Sequence, residues 1–152
     1  DARTAITDAP TDAFDLVVGD AFGGLAVPWH LATREMVEEV ARTLRPGGLY
    51  ILNVIDYPPL AFARAELATL ADVFAHVGVM GPATLATGRS GGNVILIASD
   101  QPLAVDAILD ADETRGGGNV LVSDPDDIAD WIDDAQVLTD DYAPVDQLLG
   151  HR

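Results

Sequence analysis

The sequence has neither cysteine nor lysine, and each absence removes a class of chemistry. Without cysteine there can be no disulfide and no thiolate–zinc site, so the fold must be held by its core and its polar contacts. The eight basic residues are all arginine and are set against 25 acids, a formal net charge of −17. No basic cluster exists to neutralise phosphates, so a nucleic-acid partner is not expected. Long apolar runs are also missing: nothing approaches the roughly 18–20 uninterrupted residues of a membrane span. The opening stretch DARTAITDAPTDAF has no basic flank and no apolar signal core, which makes the cytoplasm the expected location. Histidine occurs only at His30, His76 and His151, without metal-ligand spacing. The acidic pairs 126–127, 133–134 and 140–141 lack the spacing of a calcium loop and read as exposed faces or caps, so no metal is expected.

What is present is a chain of 152 residues, 49% hydrophobic, long enough for one buried core and too apolar for a disordered segment. The acidic excess either attracts small cationic molecules such as polyamines or serves only as a solvated surface.

Residues 1–12 show no helix or strand opening signal. Phe14–Gly19 (FDLVVG) has the length and valine content of a buried parallel strand. A loop with Gly23, Gly24 and Pro28 follows. Thr33 reads as the N-cap of a helix with Glu35 in its first turn and Met36, Val37, Val40, Ala41 and Leu44 on one face. Pro46-Gly47-Gly48 reads as its stop, and Leu49–Ile55 as a second strand. Strand, helix and strand at this spacing predict a parallel βαβ unit. A second apolar-faced helix after Pro58-Pro59 includes Leu60, Ala63, Leu67, Leu70, Ala71 and Phe74. Val77–Met80 and Asn93–Ala98 predict an antiparallel pair at the sheet edge. Residues 103–109 and 125–132 read as helices, the latter capped by Asp124, and 120–122 as a short extended piece.

Open parallel sheets bind ligands beyond the carboxyl ends of their strands, so Asp20 stands where a general base or an amine anchor belongs. A turn or loop cap would use the same residue. Asn53, Asp56 and Tyr57 lie on the same rim one strand over, with loop anchoring as the other reading of Asp56 and Tyr57. His30, after the glycine-rich loop, is placed to contact a ligand, though a lone histidine beside a helix start is more often structural.

Residues 15–56, DLVVGDAFGGLAVPWHLATREMVEEVARTLRPGGLYILNVID, resemble the second half of a class I S-adenosylmethionine fold. More narrowly, they resemble the spermidine synthase (polyamine aminopropyltransferase) family. The resemblance is carried by four features: the strand ending on Asp20, the proline-containing loop to His30, the L-x-T-R-E start at Leu31–Glu35 and the L-R-P-G-G turn at Leu44–Gly48. Residues 137–149, VLTDDYAPVDQLL, are similar to the C-terminal end of bacterial members. The resemblance implies an α/β, Rossmann-like, doubly wound and mostly parallel sheet with an antiparallel edge pair. Residues 1–152 would be the C-terminal part of a single transferase domain, without its N-terminal strands.

It also implies aminopropyl transfer from decarboxylated S-adenosylmethionine, as co-substrate, to a small cationic amine such as putrescine. Asp20 would be catalytic and substrate-binding, Asp1, Ala2, Asp20 and Ala21 would bind the nucleoside, and Tyr57 would border the amine. The family's glycine loop and ribose-binding acid would lie ahead of Asp1, so the segment is expected to bind nucleoside weakly and to be inactive alone. Its uncovered parallel edge is expected to drive self-association, as a homodimer or otherwise, or a rearrangement. A methyltransferase of the same fold is one alternative. A silent binding or scaffold domain is another, since Ala21, Phe22, Gly23 and Gly24 stand where the family carries a second acid.

Overall fold

The computed structural model describes residues 1–21 and 27–150. Phe22, Gly23 and Gly24, which entered the expectations for the loop after Asp20, lie outside the described residues, as does His151. The element order is α1 (Ala2–Thr7), β1 (Phe14–Gly19), a 3-10 turn (Trp29–Leu31), α2 (Arg34–Thr43), β2 (Leu44–Asp56), α3 (Ala61–Val73), β3 (His76–Gly81), α4 (Ala83–Ala86), β4 (Gly92–Ser99), α5 (Val105–Thr114), β5 (Val120–Val122), α6 (Pro125–Ile132) and α7 (Val145–Leu148).

The strands form one sheet in the order β1-β2-β4-β3-β5. The α/β class and the parallel β1-α2-β2 unit are as expected, but the sheet is not mostly parallel. Only β1–β2 pair in parallel; β2–β4, β3–β4 and β3–β5 are antiparallel. The β3–β4 pair is not at the edge either, because β4 inserts between β2 and β3. The eight-residue return strand β4 follows β3 through residues 82–91, which hold only the one-turn α4, a connection too short for a parallel crossover.

Local signals explain most boundaries. The start of the chain, read without an opening signal, is a helix: Asp1 caps α1 by accepting from the Arg3 amide at 2.9 Å. Asp124 caps α6 through the Asp126 and Asp127 amides, as expected. Pro46-Gly47-Gly48 does not separate α2 from the next strand but lies inside β2. There β2 advances from Leu44 to Leu49 while β1 advances from Phe14 to Leu16, and Gly47 takes a φ of +80° in the resulting bulge. The Gly116–Gly118 stretch is tied down, because the Asp112 carboxylate accepts from both the backbone and the side-chain amide of Asn119.

One face of the sheet is the core. Tyr50, Leu52 and Val54 register against Ala98, Leu96 and Val94, and all are buried beneath α2 and α3. Met36, Val37 and Val40 of α2 and Phe62, Leu67 and Leu70 of α3 meet them; Ala71, expected on that side, is exposed. The opposite face is incompletely covered. Strand β1 is an edge strand, and its outward residues Phe14, Leu16 and Val18 are 40%, 49% and 58% exposed. Winding on both faces is therefore not complete at β1.

Two acids lie fully inside this core and differ in how they are satisfied. The Asp56 carboxylate accepts from three backbone amides, those of Tyr57, Ala63 and Gly150, and so anchors the turn into α3 and the end of the chain. Glu66 in α3 is fully buried with no hydrogen-bond partner for either oxygen among the described residues. Burial pushes its carboxyl well above the usual range; burial also pushes up the Tyr50 phenol, and the nearby Glu66 charge adds to that.

A raised folded-state pKa means that the Glu66 contribution to stability is fully present below the unfolded value of about 4.3 and is lost as pH rises through the folded value. Glu66→Met replaces the unpaired carboxyl with an apolar group of similar length. It is expected to stabilise the fold by about 1–3 kcal/mol, with the larger gain at the higher pH. Urea denaturation of both proteins at pH 5 and pH 8 measures this; an equal or larger gain at pH 5 contradicts it.

Candidate functional site

Asp20 follows directly on the end of β1. Gly19 registers with Leu52, so Asp20 stands level with Asn53 on the neighbouring strand. Glycine just before the acid leaves room for its neighbours: a Cβ there would lie 2.6 Å from a Leu52 methyl and 2.9 Å from the Tyr50 hydroxyl, so these side-chain ends would have to shift. The close approach of β1 to β2 brings the two polar side chains together, and Asn53 Nδ2 donates to Asp20 Oδ1 at 2.9 Å. No described residue donates to the other carboxylate oxygen, and the Asp20 side chain is exposed.

Beside Asp20 is a cavity of about 370 Å³ bounded by α1, the end of β1, α2 and the core face of β2. Its size is in the range of small-molecule sites. Ala5, Ile6, Val17, Met36, Tyr50 and Leu52 supply a largely apolar wall. Of the residues expected to meet a nucleoside, Ala2, Asp20 and Ala21 line this cavity. Asp1 does not. Its carboxylate caps α1, with one oxygen 3.5 Å from His30 Nε2. Tyr57 lies past the end of β2 on the Asp56 turn and is not among the cavity-lining residues. Asp56 has the loop-anchoring role described above, and the His30 ring meets Trp29 edge-on. The structure thus brings together Asp20, Ala21, Ala2 and Asn53.

The wall formed by α1 is held by polar contacts at both ends. Arg3 makes a two-pronged contact with Asp140, at 2.7 and 2.6 Å, and a further bond to the His30 carbonyl. Thr33 occupies the N-cap position of α2 as expected. Its hydroxyl does not cap the helix but donates to Asp140 Oδ1 at 2.7 Å, while the Asp140 amide donates to Glu35. At the other end of α1, Arg42 donates to the carbonyls of Ile6, Thr7 and Ala9. Asp140 had read as a surface or capping acid. Its role depends on residues more than a hundred positions away, which no local pattern could signal. The Arg3 guanidinium, helped by the Thr33 hydroxyl, holds the Asp140 carboxyl below its ordinary range against the opposing effect of burial.

Among the described residues no helix is long and apolar enough to cross a membrane, and no cluster of His, Asp and Glu is placed to hold a metal ion. No family model and no curated protein matches the sequence. Solved structures do match. A probable spermidine synthase from Corynebacterium glutamicum ATCC 13032 superposes with a TM-score of 0.80 at 32% identity, over 92% of this chain and 52% of that one. Human methyltransferase-like protein 13, solved in complex with SAH, matches over 97% of this chain and 64% of that one, with a TM-score of 0.50 and 20% identity, which speaks to the fold alone. The resemblance to spermidine synthase therefore holds in three dimensions, and the chain spans about half the length of the matched protein.

A depressed folded-state pKa for Asp140 means that its contribution is present above the unfolded value of about 3.9 and is lost as pH falls through the folded value. Both partners are partly solvated, so the effect is modest. Asp140→Asn is expected to cost about 1 kcal/mol at pH 7 and progressively less towards pH 3. Urea titrations across that range, with hydrogen exchange of the α1 amides as a local readout, test both the size and the sign.

Proposed function

We propose that the protein carrying this sequence transfers an aminopropyl group from decarboxylated S-adenosylmethionine to a diamine such as putrescine, with Asp20 at the reacting amine. One observation carries the reading. Asp20, with an exposed side chain at the carboxyl end of a parallel strand, is one of the residues lining an apolar, nucleoside-sized cavity, in a chain whose fold matches a probable spermidine synthase at 32% identity.

The chemistry asked of this site is a displacement at the carbon attached to a sulfonium. The acceptor amine is an ammonium at neutral pH and must lose a proton before its nitrogen lone pair can attack. As the C–N bond forms the C–S bond breaks, and its electron pair returns to sulfur, which leaves as a neutral thioether. An exposed Asp20 oxygen is suited to hold the ammonium and to receive its proton. Ala2 and Ala21 leave room for the nucleoside against the wall of the cavity, and its apolar lining suits a base and a thioether better than it suits bulk water. The net charge of −17 favours a cationic acceptor by long-range attraction. Methyl transfer is the second reading, favoured by the fold shared with methyltransferase-like protein 13.

Self-association belongs to the same proposal. The open side of β1, with Phe14, Leu16 and Val18 exposed, is an unpaired strand edge flanked by apolar surface.

Two outcomes are expected. In an assay offering putrescine with either decarboxylated or ordinary S-adenosylmethionine, only the decarboxylated donor should be consumed. Asp20→Asn should lower the rate by about 10²- to 10⁴-fold. Unchanged polyamine production by Asp20→Asn refutes the catalytic assignment, and methyl transfer from the ordinary donor selects the second reading. In sedimentation equilibrium, Leu16→Lys is expected to shift an oligomer towards monomer; a parent protein that is monomeric at all concentrations removes the association proposal.

A further inference from the structure

Asn53 occupies a position in β2 where an apolar side chain would be expected. It faces away from the α2–α3 core, in a row formed by Leu49, Ile51 and Ile55, and its cross-strand partner is Ile95. Its amide makes one hydrogen bond, from Nδ2 to Asp20 Oδ1 at 2.9 Å, and its Oδ1 is buried with no partner among the described residues. A buried carbonyl without a donor destabilises a fold, and nothing else in the described structure is held by this side chain. Among the described residues, the polarity at position 53 serves Asp20.

We propose that Asn53 is a positioning residue for the amine site. Its Nδ2–H bond occupies Asp20 Oδ1, fixes the plane of the carboxylate, and leaves Oδ2 as the oxygen that meets the acceptor amine. This deepens the aminopropyl-transfer reading and rests on it. Chemically, an aliphatic ammonium offers three N–H donors, and a freely rotating carboxylate can take it through either oxygen in many orientations. A carboxylate with one oxygen engaged receives it through the other along a narrow range of directions, which is what an in-line displacement needs. The arrangement also bears on the absence of a second acid at residues 21–24: a neutral amide on the adjacent strand supplies the orientation without adding charge.

The test is a titration of the protein with putrescine, reading both the dissociation constant and the NMR signals of the Asn53 side-chain amide. In the parent, the amide signals are expected to move as putrescine saturates the site, and in Asp20→Asn binding should be lost. Asn53→Leu, close in volume, removes the donor and is expected to weaken putrescine binding about tenfold, as for loss of a hydrogen bond to a charged group. Asn53→Gln, which keeps an amide donor, should bind more tightly than Asn53→Leu. Equal affinity in the parent and Asn53→Leu, with binding still lost in Asp20→Asn, overturns the role of Asn53 and leaves the amine site standing. No saturable binding by the parent, or equal binding by Asp20→Asn, overturns the amine site itself and this inference with it. If Asn53→Leu does not fold, the parent spectrum decides: amide signals that stay still at saturating putrescine overturn the proposal.

Discussion

The arrangement around the cavity depends on one carboxylate, that of Asp140. It accepts from Arg3 and from Thr33, and its own amide donates to Glu35. These contacts join the first helix, the start of α2 and the segment near the end of the chain. No side chain of α1 is fully buried, and Ile6 alone of the helix packs, partly buried, against the core among the described residues. Yet Ala2, Ala5 and Ile6 of that helix form one wall of the cavity beside Asp20. The wall exists because Arg3 and Arg42 clamp α1 at its two ends, and Asp140 determines where the first clamp closes. The site is thus closed by charge-assisted hydrogen bonds around an apolar interior.

The same segment reaches the core. The Leu138 amide donates to the buried Thr69 hydroxyl, and the Leu138 carbonyl accepts from the Arg34 amide. The late motif at 137–149 and the Asp20 segment are far apart in the chain, and the late segment reaches the Asp20 cavity indirectly, by holding through Asp140 the helix that forms one of its walls.

The buried acids show how context assigns opposite roles to similar groups. Asp56 finds three backbone donors and serves as a fastener for the turn and the chain end. Glu66 finds none among the described residues and is a cost that the surrounding core sustains. Asp20 is not buried, and among the described residues only one of its carboxylate oxygens is bonded. Solvent access and the number of donors distinguish these three acids, and neither property can be read from residue type.

The amino-acid order determined the elements whose signals are local. The valine-rich run 14–19, the apolar spacing of α2, the Asp124 cap and the placement of Asp20 beyond its strand all follow from period and capping chemistry within a few residues. Asp1 shows the limit of that reading, since the cap was present in the sequence but the short polar helix behind it had no apolar face to announce it. Tertiary structure alone decided the insertion of β4 between β2 and β3, which turned an expected parallel sheet largely antiparallel. It also decided that Asn53 meets Asp20 and that Asp140 closes on Arg3. Each of these depends on which strand lies beside which, or on contacts between distant segments. Such neighbours are selected by the burial of a whole sheet face and by the geometry of loops, and no window of adjacent residues contains that information.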